Sequence, residues 1–471
     1  MVLPPALARP GDEPPAKAVE PAPPIAPALA ARAADLRERA RHSDLAWRLV
    51  SDLTTRIGPR LAGSPAEERA RTLMAETLKR LGFVNVSVEE FPLPGWRRGE
   101  EAAAIISPAP QPLAVTALGG SVATPAGGIT ASVVRFADLA ELEAAPANSL
   151  KGRIAFVDQR MFRAQDGSSY GQTVAIRVRS ASIAAAKGAV AVLIRSVGTD
   201  SHRLPHTGMM RYADDAAKIP AAALANPDAD QLARLLAIGD EPVVVQLTLT
   251  PKTGFLARSG NVVADIPGTD RAEEIVLLGA HLDSWDLGTG AIDDGAGVAI
   301  VTAAAKLVAE EGRPRRTLRV VLFGSEEVGL VGARAYLKAH EKEIARHVMV
   351  SEADFGADRV WRMSTGIGRR ALPFAAALHH LLRPLGIGRG GNDSLGGSDV
   401  SVLARAGVPA IGLNQDGMRY FDLHHTADDT LDKIDPHQLA QSVAAWATTA
   451  FLVANSDADL RAGGLPARHG E

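Results

Sequence analysis

Cysteine is absent from this chain, which excludes a disulfide framework and any thiolate chemistry, nucleophilic or metal-binding. The absence leaves the compartment open. Strongly apolar runs of about 18 residues are missing too, so no membrane-spanning helix is expected. The nearest approach, 439–453, is interrupted by Gln441, Ser442, Thr448 and Thr449 and reads as a packed helix. There is no excess of one charge: 51 basic against 54 acidic residues leave a net charge of −3. Neither nucleic acid nor a membrane surface is therefore indicated as a partner. The amino-terminal stretch lacks the basic segment and continuous apolar core of a secretory leader, so no signal peptide is expected within it.

What is present divides by composition. At 471 residues the chain can hold two or three domains, or one large domain with an insertion. Residues 1–31 are rich in Pro and Ala and read as a disordered lead-in. Residues 32–100 read as the first part of a catalytic domain, 101–250 as an inserted β-rich domain, 251–456 as the second catalytic part and 457–471 as a flexible tail. Residues 28–53 have apolar positions one helical turn apart and predict a single helix. Ser64, Pro65 and Glu67 form an N-cap, first-turn proline and capping box, which predict a second helix ending at Gly82.

The chemistry is concentrated in 275–354. Short apolar runs, IVLLGA at 275–280, TLRVVLF at 317–323 and HVMVS at 347–351, read as buried strands, and the Ala-rich 297–311 between the first two reads as a helix. Strand, helix, strand implies an α/β fold with a mostly parallel or mixed central sheet flanked by helices. Ligands in such sheets collect beyond the carboxyl ends of the strands. There the chain places His281, Asp283, the doublet Asp293-Asp294, the pair Glu326-Glu327 and Asp354. HHTADDT at 424–430 supplies a further histidine. Carboxylates crowded in a cleft raise one another's pKa, and a divalent metal relieves that. His with Asp and Glu, without Cys, suits catalytic zinc. His281, Asp293, Glu327, Asp354 and His425 are the candidate ligands, enough for two zinc ions if Asp293, at a Gly-rich turn, bridges them. Two such metals sit about 3.5–4 Å apart. Glu326 and Glu327, pointing apart as sequence neighbours do, divide into general base and ligand. Asp283 is expected to hold the other nitrogen of His281.

Taken together, HLDS at 281–284, GAIDDGAG at 290–297, FGSEEVGLVGA at 323–333, SEAD at 351–354 and HHTADDT resemble the M28 family of zinc aminopeptidases, most closely its plasma glutamate carboxypeptidase (carboxypeptidase Q) branch. The resemblance covers roughly 45–455 and implies one metal held by His281, Asp293 and Asp354, the other by Asp293, Glu327 and His425, with Glu326 as base. It selects His425 over His424, with Asp429 as the acid four residues on. Glu352 remains the alternative to Asp354. KGRIAFVDQ at 151–159 and AAKGAVAVLIRS at 185–196 resemble a protease-associated domain. The inserted segment is expected to be a structural lid, or else to reach the active cleft through the loop PHTGMMRY at 205–212, with His206 as a substrate contact. Ser398 and Asp399 are expected to cap a helix at 400–406, with substrate contact as the alternative role for Asp399. Tyr420 is expected to line the substrate pocket.

The reaction so implied is hydrolysis of dipeptides or short peptides with a free amino terminus, by metal-activated water with Glu326 moving the proton. A peptide substrate, a homodimer and an exported location follow from the resemblance alone. The competing readings are a one-zinc glutaminyl-cyclase-like transferase and a receptor-like binding protein on the same fold.

Overall fold

A computed structural model describes residues 24–467; residues 1–23 of the expected lead-in and 468–471 of the expected tail lie outside them. Two eight-stranded sheets organise the chain. In the first, the order across the sheet is Val84–Arg97, Lys252–Ile266, Arg316–Phe323, Arg271–His281, His347–Glu352, Ala410–Gln415, Val360–Gly366 and Gly388–Arg389. Its four central strands, from Arg316–Phe323 to Ala410–Gln415, run parallel, and antiparallel strands flank them. The apolar run 275–280 is buried on both faces. Val276, Leu278 and Ala280 join a core with the Ala296–Glu310 and Pro436–Asn455 helices, while Ile275 and Leu277 pack with Ala333, Tyr336 and Leu403 on the opposite side. Double coverage explains why the strand reads as continuous rather than alternating apolar sequence.

All eight strands of the second sheet lie within 101–249, and the two passages into and out of it run side by side, with Thr250 N–H donating to Glu100 O at 3.0 Å. Arg98 fastens this junction, donating to Asp286 Oδ1 at 2.8 Å, Glu101 Oε1 at 2.6 Å and Thr207 Oγ1 at 3.1 Å.

Several local expectations are corrected. The single helix over 28–53 is two, Pro27–Arg41 and Leu45–Arg56, separated where Ser43 Oγ accepts from Leu45 N–H. Ser and Asp side chains compete for backbone bonds at such a break. The first helix begins inside the stretch assigned to the lead-in, because Ala33, Leu36 and Ala40 bury against the Pro436–Asn455 helix. The described part of the tail is pinned rather than loose: Arg316 donates to Ser456 O at 2.9 Å and Ala458 O at 3.0 Å, and Leu460 is buried. Ser64 caps the Pro65–Arg80 helix as expected, but Glu67 reaches Gly63 N–H and accepts from Ser259 Oγ instead of closing on the Ser64 amide. Among the described residues no helix is long and apolar enough to cross a membrane.

Candidate active site

The carboxyl ends of the central strands converge as the α/β rule requires. His281 ends its strand opposite Phe323 in the register, Glu326 and Glu327 follow Phe323, and Asp354 follows Glu352 at the end of the next strand. Asp293 lies in the kinked turn Ala291–Gly295, ahead of the Ala296–Glu310 helix.

Asp293 stands at the centre. Its Oδ1 is 3.2 Å from His281 Nε2, and its Oδ2 is 3.3 Å from His425 Nε2. On one side Asp354 Oδ1 is 3.3 Å from His281 Nε2; on the other Glu327 Oε2 is 2.9 Å from His425 Nε2. Glu352 is turned away and accepts from Val400 N–H at 3.0 Å. The five sequence candidates are thus brought together in two sets that share one carboxylate. Glu326 is partly exposed and lines the cleft, whereas Glu327 is buried against His425, so the neighbours do point apart.

The hydrogen bonds test whether this cluster fits a cation. His281 Nδ1 faces Asp283 O at 3.0 Å, and His425 Nδ1 faces Thr207 O at 3.2 Å. Carbonyl oxygens only accept, so each Nδ1 carries the proton and each Nε2 is left with a lone pair aimed at carboxylate oxygens. Lone pairs facing lone pairs at these distances call for protons or cations between them. Glu327 Oε1 is also buried without a partner. Left to protons alone, the site is strained electrostatically. Burial disfavours the charged His425 ring, yet the Glu327 and Asp293 carboxylates outweigh it and push its pKa up to about 9. Burial pushes Glu326 well above the usual carboxylate range, with the charges of Asp354 and Glu327 adding to it against the pull of His281. This all-oxygen and imidazole donor set fits zinc.

Backbone and side chains around the cluster hold it in place. Asp429 accepts from Ile292 N–H at 2.6 Å and Asp293 N–H at 3.3 Å, tying the HHTADDT loop to the Asp293 turn. Arg60, fully buried, donates to Leu282 O at 2.5 Å, Thr289 O at 2.8 Å and Gly290 O at 2.8 Å.

Three expected roles are corrected. Asp283 does not hold the ring of His281 with its carboxylate, which lies 3.8 Å from Nδ1. It accepts instead from Glu326 N–H at 3.1 Å and Glu327 N–H at 3.3 Å, so it shapes the turn that carries the glutamates. His206 does not line the cleft: it is 1% exposed, with its ring nitrogens engaged by His424 O at 2.7 Å and Asp200 Oδ1 at 2.6 Å. Its loop nevertheless reaches the cleft through Met209 and Arg211. Asp399 neither bonds a helix amide with its side chain nor lines the cleft: Glu352 already accepts from Val400 N–H, and the Asp399 carboxylate is fully buried without a partner. Tyr420 does line the cleft, of about 550 Å³, stacked on Phe355 with ring centroids 4.7 Å apart.

Sequence reasoning passed over Asp294, whose carboxylate accepts from His281 N–H at 3.0 Å and Gly297 N–H at 3.1 Å. It also set aside His424, whose ring stacks 3.4 Å from that of His425. The doublets DD and HH were the available signals. Arg60 had none, since its acceptors are carbonyls more than two hundred residues away.

Comparison with known proteins bears on the family and the fold. Residues 261–450 match the model of peptidase family M28. Carboxypeptidase Q of Mus musculus is 37% identical over 418 residues, 88% of this chain and 87% of that protein. A crystal structure of a peptidase M28 precursor from Shewanella amazonensis superposes with a TM-score of 0.91 at 48% identity, over 94% of this chain and 99% of that one. A zinc aminopeptidase from Bacillus subtilis shares the fold with a TM-score of 0.64 at 21% identity, over 88% of this chain and 97% of that one.

Proposed function

From the premise that this chain belongs to peptidase family M28 and is a peptidase, we propose that it is a dizinc exopeptidase acting on dipeptides or short peptides with a free amino terminus. The observation that carries the reading is the division of Asp293, with one oxygen toward His281 and Asp354 and the other toward His425 and Glu327. His281, Asp293 and Asp354 would hold one zinc, and Asp293, Glu327 and His425 the other. When bound, zinc lowers the pKa of water to about 7 and polarises a carbonyl.

The chain's own residues do the rest. Glu326, facing the cleft, takes a proton from the attacking water and returns it to the leaving amine, acting as base and then acid. Asp283 and the two carbonyls at Asp283 and Thr207 hold the glutamate turn and the imidazoles in register. Tyr420 and Phe355 wall the pocket. Relatives called carboxypeptidase and aminopeptidase are compatible with one activity, since both names describe the same cut in a dipeptide. We read 101–250 as a protease-associated-type insertion that closes one side of the cleft.

The test is zinc analysis of purified protein with a dipeptide release assay. Near two zinc per chain is expected; one would favour a cyclase-like enzyme and none a binding protein. Glu326→Gln is expected to keep its zinc and lose activity by roughly 10²–10⁴-fold. Full activity in that variant would remove Glu326 as the base.

A further inference from the structure

The loop that carries His425 is gripped by residues 199–207, which lie in the segment that builds the second sheet. Thr199 N–H donates to Phe421 O at 2.9 Å, and Thr199 Oγ1 donates to Asp422 Oδ1 at 2.8 Å. His206 Nδ1 lies 2.7 Å from His424 O, and Thr207 N–H donates to His425 O at 3.0 Å. Thr207 O in turn accepts from His425 Nδ1 at 3.2 Å. The buried half of PHTGMMRY, His206 and Thr207, therefore serves the ligand loop rather than the cleft.

His425 needs such a grip. Its φ is 63°, a left-handed conformation that a residue with a side chain keeps only where its surroundings over-determine it. The carbonyls of His424 and His425 flank that dihedral, and both are taken by donors from the second-sheet segment.

The grip has a firm base. His206 N–H donates to Ser196 Oγ at 2.8 Å, and Ser196 Oγ donates to Leu224 O at 2.7 Å, at the ends of the Ala191–Arg195 and Ala221–Leu224 strands. Asp200 accepts from His202 N–H at 2.9 Å and from Asn226 Nδ2 at 3.2 Å, and its Oδ1 stands 2.6 Å from His206 Nε2. A carbonyl oxygen only accepts, so His206 Nδ1 carries a proton toward His424 O, and the short gap from Nε2 to the carboxylate holds another. Such a bond is charge-assisted, among the stronger kinds. A Cβ at Gly198 would collide with the His206 ring, so glycine there leaves the imidazole its place. The other proposed zinc has no such dependence. Among the described residues the side chains of His281 and Asp354 form hydrogen bonds and ion pairs only with each other, Asp283 and Asp293.

We propose that Asp200 and His206 are positioning residues for the metal centre. Through the His424 carbonyl they hold His425 in the conformation that ligates. The second-sheet segment thereby sets the affinity of the zinc at His425 and Glu327 and leaves the zinc at His281 and Asp354 alone. This deepens the dizinc reading and rests on it.

The test is stepwise removal of zinc from the full-length protein by a chromophoric chelator, which reads two affinities without an activity assay. Asp200→Asn keeps the shape of the side chain and removes the charge opposite His206. It is expected to weaken one zinc by roughly 10–100-fold, the size of an orienting partner's effect, and to leave the other within about twofold. Asp354→Asn is expected to weaken the other zinc, and the double variant both, which assigns each affinity to its site. Thr199→Val removes one grip and spares the dyad. It is expected to weaken the same zinc as Asp200→Asn by about three- to tenfold, and it carries the test if Asp200→Asn fails to fold. Affinities unchanged at both sites, or lowered equally at both, overturn the assignment: a merely structural role lowers the thermal midpoint of the metal-free protein without choosing between the zincs. Wild type that binds a single zinc rejects the dizinc reading itself, and the assignment with it.

Discussion

Ser325, Leu330 and His425 hold φ values of 61°, 56° and 63°, and the other non-glycine residues with positive φ among those described are asparagines. Each such conformation costs about 1–3 kcal/mol in an ordinary side chain. All three border the Glu326–Glu327 turn or carry the ring that faces Asp293, so strain is confined to the residues that aim the acid and imidazole groups. A second residue-scale effect lies away from the cleft. His347 is buried, with Nδ1 donating to Glu343 O at 3.0 Å and Nε2 accepting from Tyr336 OH at 2.9 Å. Burial holds its pKa down to about 4. In the unfolded chain it titrates near about 6.5. Between those values the unfolded state takes up the extra proton, so this contribution is complete above about pH 6.5 and is lost as pH falls toward 4, about 3 kcal/mol in all. His347→Gln, which does not titrate, should lose less stability than wild type between pH 7 and 4 in denaturant titrations. Parallel pH profiles for the two proteins would refute this.

At the scale of elements, two distant loops make one site. The HHTADDT loop delivers His425 and, through Asp429, grips the amides of Ile292 and Asp293. The loop therefore positions the shared carboxylate as well as a proposed ligand. Asp429→Ala should weaken zinc binding by roughly 10–100-fold, as removal of an orienting partner does, with the fold retained by circular dichroism. Competition with a chromophoric chelator measures it, and an unchanged affinity would reduce Asp429 to a loop brace. This partnership was only half legible: the spacing of His425 and Asp429 stands out in the sequence, but what Asp429 bonds to does not. The same holds for Asp283, whose place two residues after His281 suggests the imidazole, while the turn after the Arg316–Phe323 strand takes its carboxylate.

At the scale of the molecule, the cleft is shared. The first sheet supplies the acids and histidines; the second segment supplies Tyr170, Arg177, Met209 and Arg211 to the opposite wall, clamped by Arg98 at the junction. Carboxylates packed this closely repel in the absence of a cation, and a metal that binds only the folded state stabilises it by mass action. Stripping zinc with a chelator should lower the thermal midpoint by several degrees, on the order of a few kcal/mol, and added zinc should restore it together with activity. A midpoint indifferent to chelation would mean that the cluster holds no tightly bound ion.

The central strands, the crossover helix and the five candidate ligands were legible in the sequence itself, with the choice of His425 over His424 resting on the family resemblance. Doubly buried strands need unbroken apolar runs, and metal-ligand chemistry needs residue types that few other roles share. Tertiary structure alone decided which carboxylate faces a ring and which an amide, and why His206 and Asp399 are withdrawn from the cleft. Those outcomes depend on which groups meet after the chain closes on itself, and the pairing of a polar side chain is fixed by neighbours that can be hundreds of residues away.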